Sequence, residues 1–300
     1  MKTALVTGVN GFIGSALAKR LLSEGYKVFG VDIRKINDSE LLNNGDFFLI
    51  TTNLSENKLS SFINDKVDVL YYLSWKGSLG GKDLYDSQLQ ADNISMAVNV
   101  CKDSSDYCNH FIFVGSSYEH LKDSNTNREV SAYGAAKLAA GKLCENECLQ
   151  KGISFNKAIL TNTFGYGDSS KKAVNTLVSM MLNNQKLKLI EGNRPNDWVY
   201  IDDTIEGLLR IYEKGNPYRD YYVGHKSISL FKEKITVMRN LLCPEMELDF
   251  GTMEEKTYVD YSAFDLKALG RDTGFECKCE FKSAISKTAE WIKSIDLRIL

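Results

Sequence analysis

Short apolar runs alternate with amphipathic stretches along the first half of the chain. The runs are nearly continuous in apolar side chains, which is typical of strands buried on both faces. The stretches between them carry apolar residues at helical spacing. This order predicts an α/β chain whose parallel sheet is covered by helices on both faces. The predicted strands span residues 3–6, 27–31, 47–50, 67–73 and 110–114, and the two clearest helices span 12–23 and 83–101.

The pattern continues through one further helix and strand and then loses its regularity near residue 165. A helix is predicted over 131–149, because Ser131 is placed to cap its first turn and Gly152 follows its end. Residues 153–160 are the sixth predicted strand. Asp202 is the predicted cap of a helix that ends near residue 213. The predicted mixed segments after it span 226–250 and 254–275.

Charge and hydropathy argue against several classes of partner. The 300 residues contain 37 Lys and Arg against 39 Asp and Glu, a formal charge of −2. This balance offers no basic surface for nucleic acid or for an anionic membrane. No apolar run approaches the roughly 18 residues that span a bilayer, and the N-terminus lacks the layout of a signal peptide. We therefore expect a cytoplasmic protein with no nucleic-acid or membrane partner.

The cysteines and histidines do not suggest a metal centre. The chain has seven cysteines and three isolated histidines. A zinc site needs about four nitrogen or sulfur ligands, usually in well-spaced pairs. We expect reduced, mostly buried thiols and no bound metal.

A glycine-rich turn follows the first predicted strand. Gly8, Gly11 and Gly14 fall in the spacing G-x-x-G-x-x-G and open the first helix. Glycines here permit a tight turn, close approach of backbone amides to a pyrophosphate and close helix packing. The motif predicts a dinucleotide site. Its predicted cofactor-binding residues are Gly8, Asn10, Gly11, Phe12, Ile13 and Gly14.

An acidic residue ends the second strand, where it can accept hydrogen bonds from both ribose hydroxyls. Asp32 favours NAD over NADP, because a carboxylate repels a 2′-phosphate. Arg34 and Lys35 leave NADP open, because either side chain can turn toward such a phosphate. We therefore expect NAD, with NADP as the alternative.

These features define the expected architecture. Right-handed crossovers make the first part a doubly wound parallel sheet of the Rossmann type. We expect residues 1–165 to form the dinucleotide-binding domain. Residues 166–300 should be mainly a small C-terminal substrate-binding lobe, with some segments returning to the Rossmann core.

A Tyr-x-x-x-Lys pair lies at the start of the helix that follows strand five. Tyr133 and Lys137 share one helical face because they are four residues apart. A lysine ammonium favours the phenolate of such a tyrosine, which makes it a usable acid and base. Ser117 follows strand five and can hydrogen-bond the substrate oxygen. The same spacing occurs at three other pairs that we expect to lie in strands or loops: Tyr72/Lys76, Tyr118/Lys122 and Tyr222/Lys226.

Together these residues resemble the extended short-chain dehydrogenase/reductase family, in its nucleotide-sugar epimerase, dehydratase and reductase group. The resemblance covers nearly the whole chain. Besides the glycine motif, Asp32 and the Tyr-Lys pair, it rests on Asn53-Leu54, Asn93, Asn99, Ser116-Ser117, Asn162-Thr163-Phe164-Gly165, the run from Asp197 to Asp203, the stretch 266–275, and Trp291.

The resemblance implies roles for individual residues. It implies a catalytic triad of Ser117, Tyr133 and Lys137, and a homodimer formed through helices at about 83–104 and 131–150. Residues 75–82 follow strand four and border the expected sugar site, and a solvent-exposed surface loop is the equal alternative for them. Further cofactor contacts are implied for Arg34, Asn53, Leu54, Leu73 and Leu160, and substrate contacts for Ser74, Ser117, Tyr118, Glu119, Asn162 and Arg194.

The chain departs from the family where the substrate is recognised. Family dehydratases follow the catalytic hydroxyl with Asp-Glu, whereas Tyr118-Glu119 follow Ser117 here, which argues against dehydration. The family arginine before the Asp-Phe signature is Asn196, and Arg194 is the alternative phosphate ligand. Two more family positions also differ, with Leu121-Lys122 in place of Tyr-Gly and Ile159 in place of an arginine.

Two reactions at C4 of a nucleotide-activated sugar fit these residues. In length the chain resembles bacterial deoxysugar reductases, including the CDP-abequose synthase type, which favours a 4-ketoreductase. The preference for NAD favours a 4-epimerase that retains its cofactor. The third hypothesis is a dinucleotide-binding regulator without turnover, against which the intact catalytic residues argue.

Overall fold

The computed structural model describes residues 1–36, 38–77 and 81–295. The strands of these residues are β1 (Thr3–Thr7), β2 (Lys27–Asp32), β3 (Phe47–Thr51), β4 (Val69–Tyr72), β5 (His110–Ser116), β6 (Leu121–Asp123), β7 (Ser154–Leu160), β8 (Asn162–Phe164), β9 (Trp198–Tyr200), β10 (Arg219–Val223) and β11 (Thr257–Val259). The helices are α1 (Phe12–Ser23), α2 (Ser39–Leu42), α3 (Ser87–Ser104), α4 (Ala132–Lys151), α5 (Ala173–Leu182), α6 (Ile201–Lys214), α7 (Phe231–Leu242), α8 (Ala268–Thr273) and α9 (Phe281–Ser294).

A seven-stranded sheet forms the centre of the molecule. Its strands follow the order β10-β7-β5-β4-β1-β2-β3, and every neighbouring pair is parallel. The strand order reverses between β1 and β4, and such a reversal opens a crevice at the carboxyl ends of the strands. The predicted doubly wound Rossmann-type sheet is confirmed. All six sequence-predicted strands belong to it.

The two faces of the sheet carry separate cores. Leu5 of β1 packs into one core, and its neighbours Ala4 and Val6 pack into the other, as the alternation of side chains along a strand requires. Helices α3 and α4 pack against each other over the core that contains Leu5. Helices α1 and α6 pack together over the opposite face. Both faces of the sheet are therefore buried, which explains the continuous apolar strands.

The second half of the chain adds to the sheet and covers its carboxyl edge. Strand β10, which contains Tyr222 as the sequence led us to expect, pairs with β7 and extends the sheet. Strand β11 pairs antiparallel with β6, and β8 pairs with β9. The predicted mixed segment 226–250 contains α7. The predicted mixed segment 254–275 contains β11 and α8.

The helix caps agree with the sequence at one helix and differ at another. Ser131 caps α4 by accepting a hydrogen bond from the Gly134 amide at 2.9 Å, and Gly152 ends the helix with φ of 69°. The predicted Asp202 cap is wrong, because Tyr200 is the extended N-cap residue of α6. Asp202 lies instead in the first turn, where its negative charge faces the positive end of the helix dipole.

The described part of the chain contains neither a membrane-spanning helix nor a cluster of metal ligands. None of its helices is long and apolar enough to cross a membrane. None of its His, Cys, Asp and Glu side chains gather in a group that could hold a metal ion. The seven cysteines are unpaired, and four of them are buried: Cys101, Cys108, Cys144 and Cys148.

Candidate active site

Two adjoining cavities lie at the carboxyl edge of the sheet, where its strand order reverses. Their volumes are about 440 Å³ and 310 Å³, and Gly8, Gly11, Leu73 and Trp75 line both. The larger cavity is further lined by Phe12, Ile13, Gly14, Gly77, Val114, Gly115, Ser116, Ser117, Tyr118, Tyr133, Lys137, Leu160, Thr161, Asn162, Thr163, Lys171, Lys172 and Ala173. The smaller is further lined by Asp32, Ile33, Arg34, Thr52, Asn53, Leu54, Ser74, Lys76 and Met96.

The glycine motif forms a cradle between β1 and α1. Gly8 has φ of +71°, a conformation that side chains other than glycine rarely adopt. A Cβ atom on Gly14 would lie 2.2 Å from the Gly8 carbonyl oxygen, so the helix can approach the turn only with glycine there. Gly11 is the N-cap of α1 and supplies no side-chain cap, which leaves first-turn amides available to an anion. The cradle therefore fits the pyrophosphate of a dinucleotide.

Asp32 closes the other end of the dinucleotide site. Its carboxylate accepts hydrogen bonds from the backbone amides of Asn10 at 3.0 Å and Arg34 at 3.2 Å. These contacts hold the half-buried carboxylate at the wall of the smaller cavity, where Asn53 and Leu54 also lie. Asn10 contributes this amide contact and does not line either cavity. The acceptor position fits a ribose diol.

Tyr133 and Lys137 lie together in the larger cavity. Both are buried on α4, and the Lys137 Nζ donates a hydrogen bond to the Val114 carbonyl at 2.8 Å. Burial lowers the pKa of Lys137 to about 7, and the negative charge of Glu119 partly opposes this. Burial raises the pKa of Tyr133 above its ordinary value, and a hydrogen-bonding interaction with Ser116 acts in the opposite direction. The phenol is therefore held protonated.

None of the three rival Tyr-x-x-x-Lys pairs has this arrangement. Tyr72 is fully buried in β4, and Tyr222 in β10 donates its hydroxyl to Asp197 at 2.7 Å. Tyr118 lies in a 3-10 turn over Ser117–His120, and Lys122 in β6 forms an ion pair with Asp260 at 2.7 Å.

Two serines follow one another at the end of β5, and they have different environments. Ser116 is the hydroxyl that interacts with the Tyr133 phenol. Ser117 also lines the cavity, but it is 1% exposed and begins the 3-10 turn. Ser117 is the predicted catalytic hydroxyl, and Ser116, which ends β5, is the second candidate beside it.

Glu119 was predicted to contact substrate, and the structure corrects this. Its carboxylate accepts a hydrogen bond from the Ser116 amide at 3.1 Å and forms an ion pair with Lys157 at 2.8 Å. It is 3% exposed and does not line the cavity. Glu119 therefore acts inside the fold, where it fixes the turn that carries the two serines.

Two other predicted substrate contacts are also displaced. Ser74 lines the smaller cavity with Asp32, and its amide donates to the Thr7 hydroxyl at 3.1 Å, so it lies on the dinucleotide side. Arg194 does not line either cavity. Its guanidinium forms an ion pair with Glu255 at 3.2 Å and stacks 3.8 Å from the Tyr258 ring centroid. These partners occupy the guanidinium that was expected at a phosphate.

Three more of the residues predicted as contacts line the larger cavity. Asn162 and Tyr118 line the larger cavity, and Leu160 ends β7 beside them. The Asn162 side-chain amide donates to the Asp197 carbonyl at 3.2 Å, which orients it. Of the predicted loop 75–82, residues 78–80 lie outside the described residues. Cavity residues that were not predicted as site residues include Thr161, Lys171 and Lys172.

Comparison with known proteins identifies relatives along most of the chain. CDP-abequose synthase of Yersinia pseudotuberculosis is 23% identical over 241 residues, which cover 80% of this chain and 82% of the relative. UDP-glucuronate 4-epimerase of Thermodesulfobacterium geofontis is 20% identical over 317 residues, which cover 96% of this chain and 95% of the relative.

Solved structures confirm the fold. The enzyme WbmF of Bordetella bronchiseptica, crystallised with NADH, superposes with a TM-score of 0.82 at 18% identity, covering 99% of this chain and 94% of that one. UDP-glucuronic acid 4-epimerase of Bacillus cereus in complex with NAD superposes with a TM-score of 0.80 at 20% identity, covering 98% of this chain and 97% of that one.

The predicted family resemblance is confirmed by a family model. The model describes the NAD dependent epimerase/dehydratase family and matches residues 4–224. This match includes the glycine motif, Asp32 and the Tyr133/Lys137 pair. Because it spans most of the 300 residues, the chain belongs to the NAD dependent epimerase/dehydratase family.

Proposed function

We propose that this protein is an NAD-dependent oxidoreductase that acts at C4 of a nucleotide-activated sugar, with reduction of a 4-keto sugar as the first choice. One observation carries the proposal. The larger cavity joins the pyrophosphate cradle to the buried Tyr133/Lys137 pair and to Asn162 within one continuous space. Such a space can hold a nicotinamide and a sugar against the same phenol.

The chemistry follows from the protonation state of the phenol. NADH, when bound, supplies the hydride. Tyr133 donates its proton to the carbonyl oxygen of the keto sugar, and its raised pKa keeps that proton in place beforehand. Ser116 is our proposed third member of the triad and hydrogen-bonds the same oxygen, in place of Ser117. Lys137, anchored on the Val114 carbonyl, favours the phenolate after transfer in its protonated form, which its lowered pKa of about 7 confines to neutral and lower pH.

The choice of NAD rests on Asp32. Its carboxylate is fixed by two backbone amides and faces the smaller cavity, so a 2′-phosphate bound there would meet a negative charge. Arg34 lines the same cavity and is exposed, and NADP is the alternative that its position supports.

The second candidate reaction is 4-epimerisation. An epimerase uses the same Tyr133, Lys137 and serine twice, first to oxidise C4 and then to reduce the other face of the keto sugar. The names of several relatives support it, because they include 4-epimerases of UDP-glucuronate. Residues 166–300 are proposed to supply most of the substrate side, beginning with the segment at Lys171.

One measurement separates the two reactions. The purified protein is denatured and the supernatant is assayed for NAD and NADP. Near-stoichiometric NAD supports the epimerase, which recycles its cofactor, and UDP-, GDP-, CDP- and dTDP-hexoses are then screened for inversion at C4. A protein without bound cofactor supports the reductase, and 4-keto sugars are then tested with NADH and NADPH.

The same screen tests whether the protein is an enzyme at all. A regulator that binds the dinucleotide without turnover would convert none of these sugars, and Tyr133→Phe would leave its biological activity unchanged. An enzyme would lose turnover with that substitution, because the phenol hydroxyl is the proton donor.

A further inference from the structure

A separate cavity lies within the second half of the chain, beside helix α7. Its volume is about 110 Å³, and none of the described residues that line it lines either of the two active-site cavities. A water molecule takes up about 30 Å³ in the liquid, so this space is too small for a nucleotide-sugar and suits a small ion. We call it the α7 cavity, and His225, Ser227, Ser229, Lys234 and Phe281 are among its lining residues.

Lys234 brings an unpaired charge to the α7 cavity. It lies in the first turn of α7 and is 7% exposed, and its Nζ has no hydrogen-bond or ion-pair partner among the described residues. The Nζ lies 5.0 Å from the centroid of the Phe281 ring. Burial lowers the pKa of Lys234, and the negative charge of Asp197 opposes this. Because a buried ammonium without a counter-charge is costly, an anion bound in the cavity would stabilise it.

His225 lies at the same cavity and is held by a buried carboxylate. Its ring Nδ1 lies 2.7 Å from Asp197 Oδ1, and its backbone amide donates to Asp197 Oδ2 at 3.0 Å. The Tyr222 hydroxyl donates to the same Oδ2 at 2.7 Å, so this carboxylate is already occupied by its neighbours. The Nε2 of His225 has no hydrogen-bond partner in the described part of the chain. A protonated imidazole donates from both ring nitrogens, which leaves Nε2 to a ligand.

The remaining lining combines free hydroxyls with aromatic rings. Ser227 and Ser229 are exposed, so the cavity opens to solvent beside them, and neither hydroxyl is hydrogen-bonded to another described residue. Phe164 and Trp198 form part of the buried wall. None of the described residues that line the cavity is Asp or Glu. Low-dielectric walls strengthen the field of a charge at such a site, and this lining therefore favours an anion.

We propose that Lys234, His225, Ser227 and Ser229 bind a phosphate-sized oxyanion in the α7 cavity. The ammonium and the imidazole supply the positive charge, and the two hydroxyls donate hydrogen bonds from the solvent side. The bound oxyanion gives Lys234 the counter-charge that its described surroundings do not provide. This site goes beyond the proposed function and does not depend on it, because it shares no described lining residue with the active-site cavities.

The test is a binding experiment on the full chain. Titration calorimetry measures the Kd of inorganic phosphate and of sulfate at constant ionic strength in chloride, with NADH in excess so that the glycine cradle is occupied. Lys234→Met is compared with the wild type and with a matched control, Lys232→Met. Lys232 lies on the same helix, is exposed, donates to Asn193 at 2.6 Å and does not line the cavity.

We expect the wild type to bind one oxyanion at this site and Lys234→Met to bind it about tenfold more weakly or worse, as loss of a charge-assisted hydrogen bond predicts. Lys232→Met should bind it within about twofold of the wild type. Urea unfolding in chloride alone should find Lys234→Met at least as stable as the wild type, because the substitution removes an unpaired buried ammonium.

A second variant keeps the test decisive if Lys234→Met does not fold. Ser227→Ala with Ser229→Ala changes only exposed positions and should weaken oxyanion binding about threefold or more, because two hydrogen-bond donors are lost. The inference is overturned if the wild type binds neither phosphate nor sulfate saturably, or if the cavity variants that fold bind as tightly as the wild type. Equal weakening in Lys232→Met overturns it as well. Failure of the proposed function is distinct, because it would abolish sugar conversion and leave these affinities intact.

Discussion

The ammonium of Lys137 lies 3.9 Å from the centroid of the Trp75 ring, above its face. The same indole meets the Tyr133 ring edge to face at 6.0 Å, and its Nε1 donates to the Gln90 side chain at 2.9 Å. Gln90 in turn donates to the Asp83 carbonyl at 2.9 Å. The Trp75 side chain is therefore anchored to α3 through Gln90, and it packs against both Tyr133 and Lys137.

This contact predicts that Trp75 positions Lys137. Trp75→Ala should lower kcat about tenfold, because a desolvated cation–π contact contributes about 1–2 kcal/mol. Trp75→Phe keeps an aromatic face and should retain most of the activity. The measurement is the pH profile of kcat with NADH and the keto sugar found by screening. A kcat for Trp75→Ala equal to that of the wild type, with an unmoved profile, would contradict the positioning role.

The adjacent serines predict different effects of the same substitution. Ser116→Ala should lower kcat about a hundredfold, as expected when a group that hydrogen-bonds the reacting oxygen is lost. Ser117→Ala, one residue further on, serves as the control and should change kcat by no more than about threefold. Steady-state kinetics of both variants decide the assignment. The reverse ranking would restore Ser117 as the catalytic hydroxyl.

The lowered pKa of Lys137 predicts a pH-dependent stability. An unfolded lysine titrates near 10.4, whereas burial lowers the pKa of Lys137 in the folded protein to about 7. Between these values the unfolded chain binds more protons, so this lysine makes the folded state more stable as pH rises and adds no slope below about pH 7.

Lys137→Met removes that dependence. Between pH 7 and pH 9 the free energy of unfolding of the wild type should rise by about 2 kcal/mol relative to that of the variant, because only the wild type carries Lys137. Urea unfolding of both proteins at several pH values gives the difference directly, and other titrating groups cancel in it. Parallel stability curves across this window would show that Lys137 keeps an ordinary pKa.

The buried ion pair of Glu119 and Lys157 predicts a structural rather than a binding defect. Lys157→Met leaves the carboxylate without its main counter-charge, which should lower the free energy of unfolding by about 3–5 kcal/mol. Glu119→Gln should cost less, because Lys157 retains Asp220 at 2.9 Å. The control is Lys226→Met, whose pair with Glu276 is more than half exposed on both sides and should contribute under about 1 kcal/mol. Equal losses for Lys157→Met and this control would refute the prediction.

The proposed homodimer through α3 and α4 has a test of its own. Leu138 and Leu149 of α4 are 40% and 60% exposed and lie on the same side of the helix. Leu138→Glu with Leu149→Glu should convert a dimer into monomers, because both carboxylates would be buried at the interface. Light scattering coupled to size exclusion measures the mass. A monomeric wild-type protein would remove the basis for this interface.

Local spacing was sufficient for the dinucleotide half of the site. The glycine motif, Asp32 at the end of β2 and the Tyr133/Lys137 pair each depend on a strand, a turn or one helical turn, so their geometry follows from neighbours in sequence. The alternation of apolar strands and helices likewise determined the parallel sheet, because a strand buried on both faces needs helices on both sides. The start of α6 was misplaced by two residues, because Tyr200 rather than Asp202 is its N-cap residue.

The substrate half was decided by contacts between distant segments. Ser116 and Ser117 are adjacent, and only the direction of the strand end relative to α4 distinguishes them. Glu119 is withdrawn from the cavity by Lys157, 38 residues away, and Arg194 by Glu255. Lys171 and Lys172 reach the cavity because the chain folds back across the carboxyl edge of the sheet. Long-range ion pairs redirect charged side chains without any periodic signal, and for this reason the tertiary structure alone determined which charged side chains line the larger cavity.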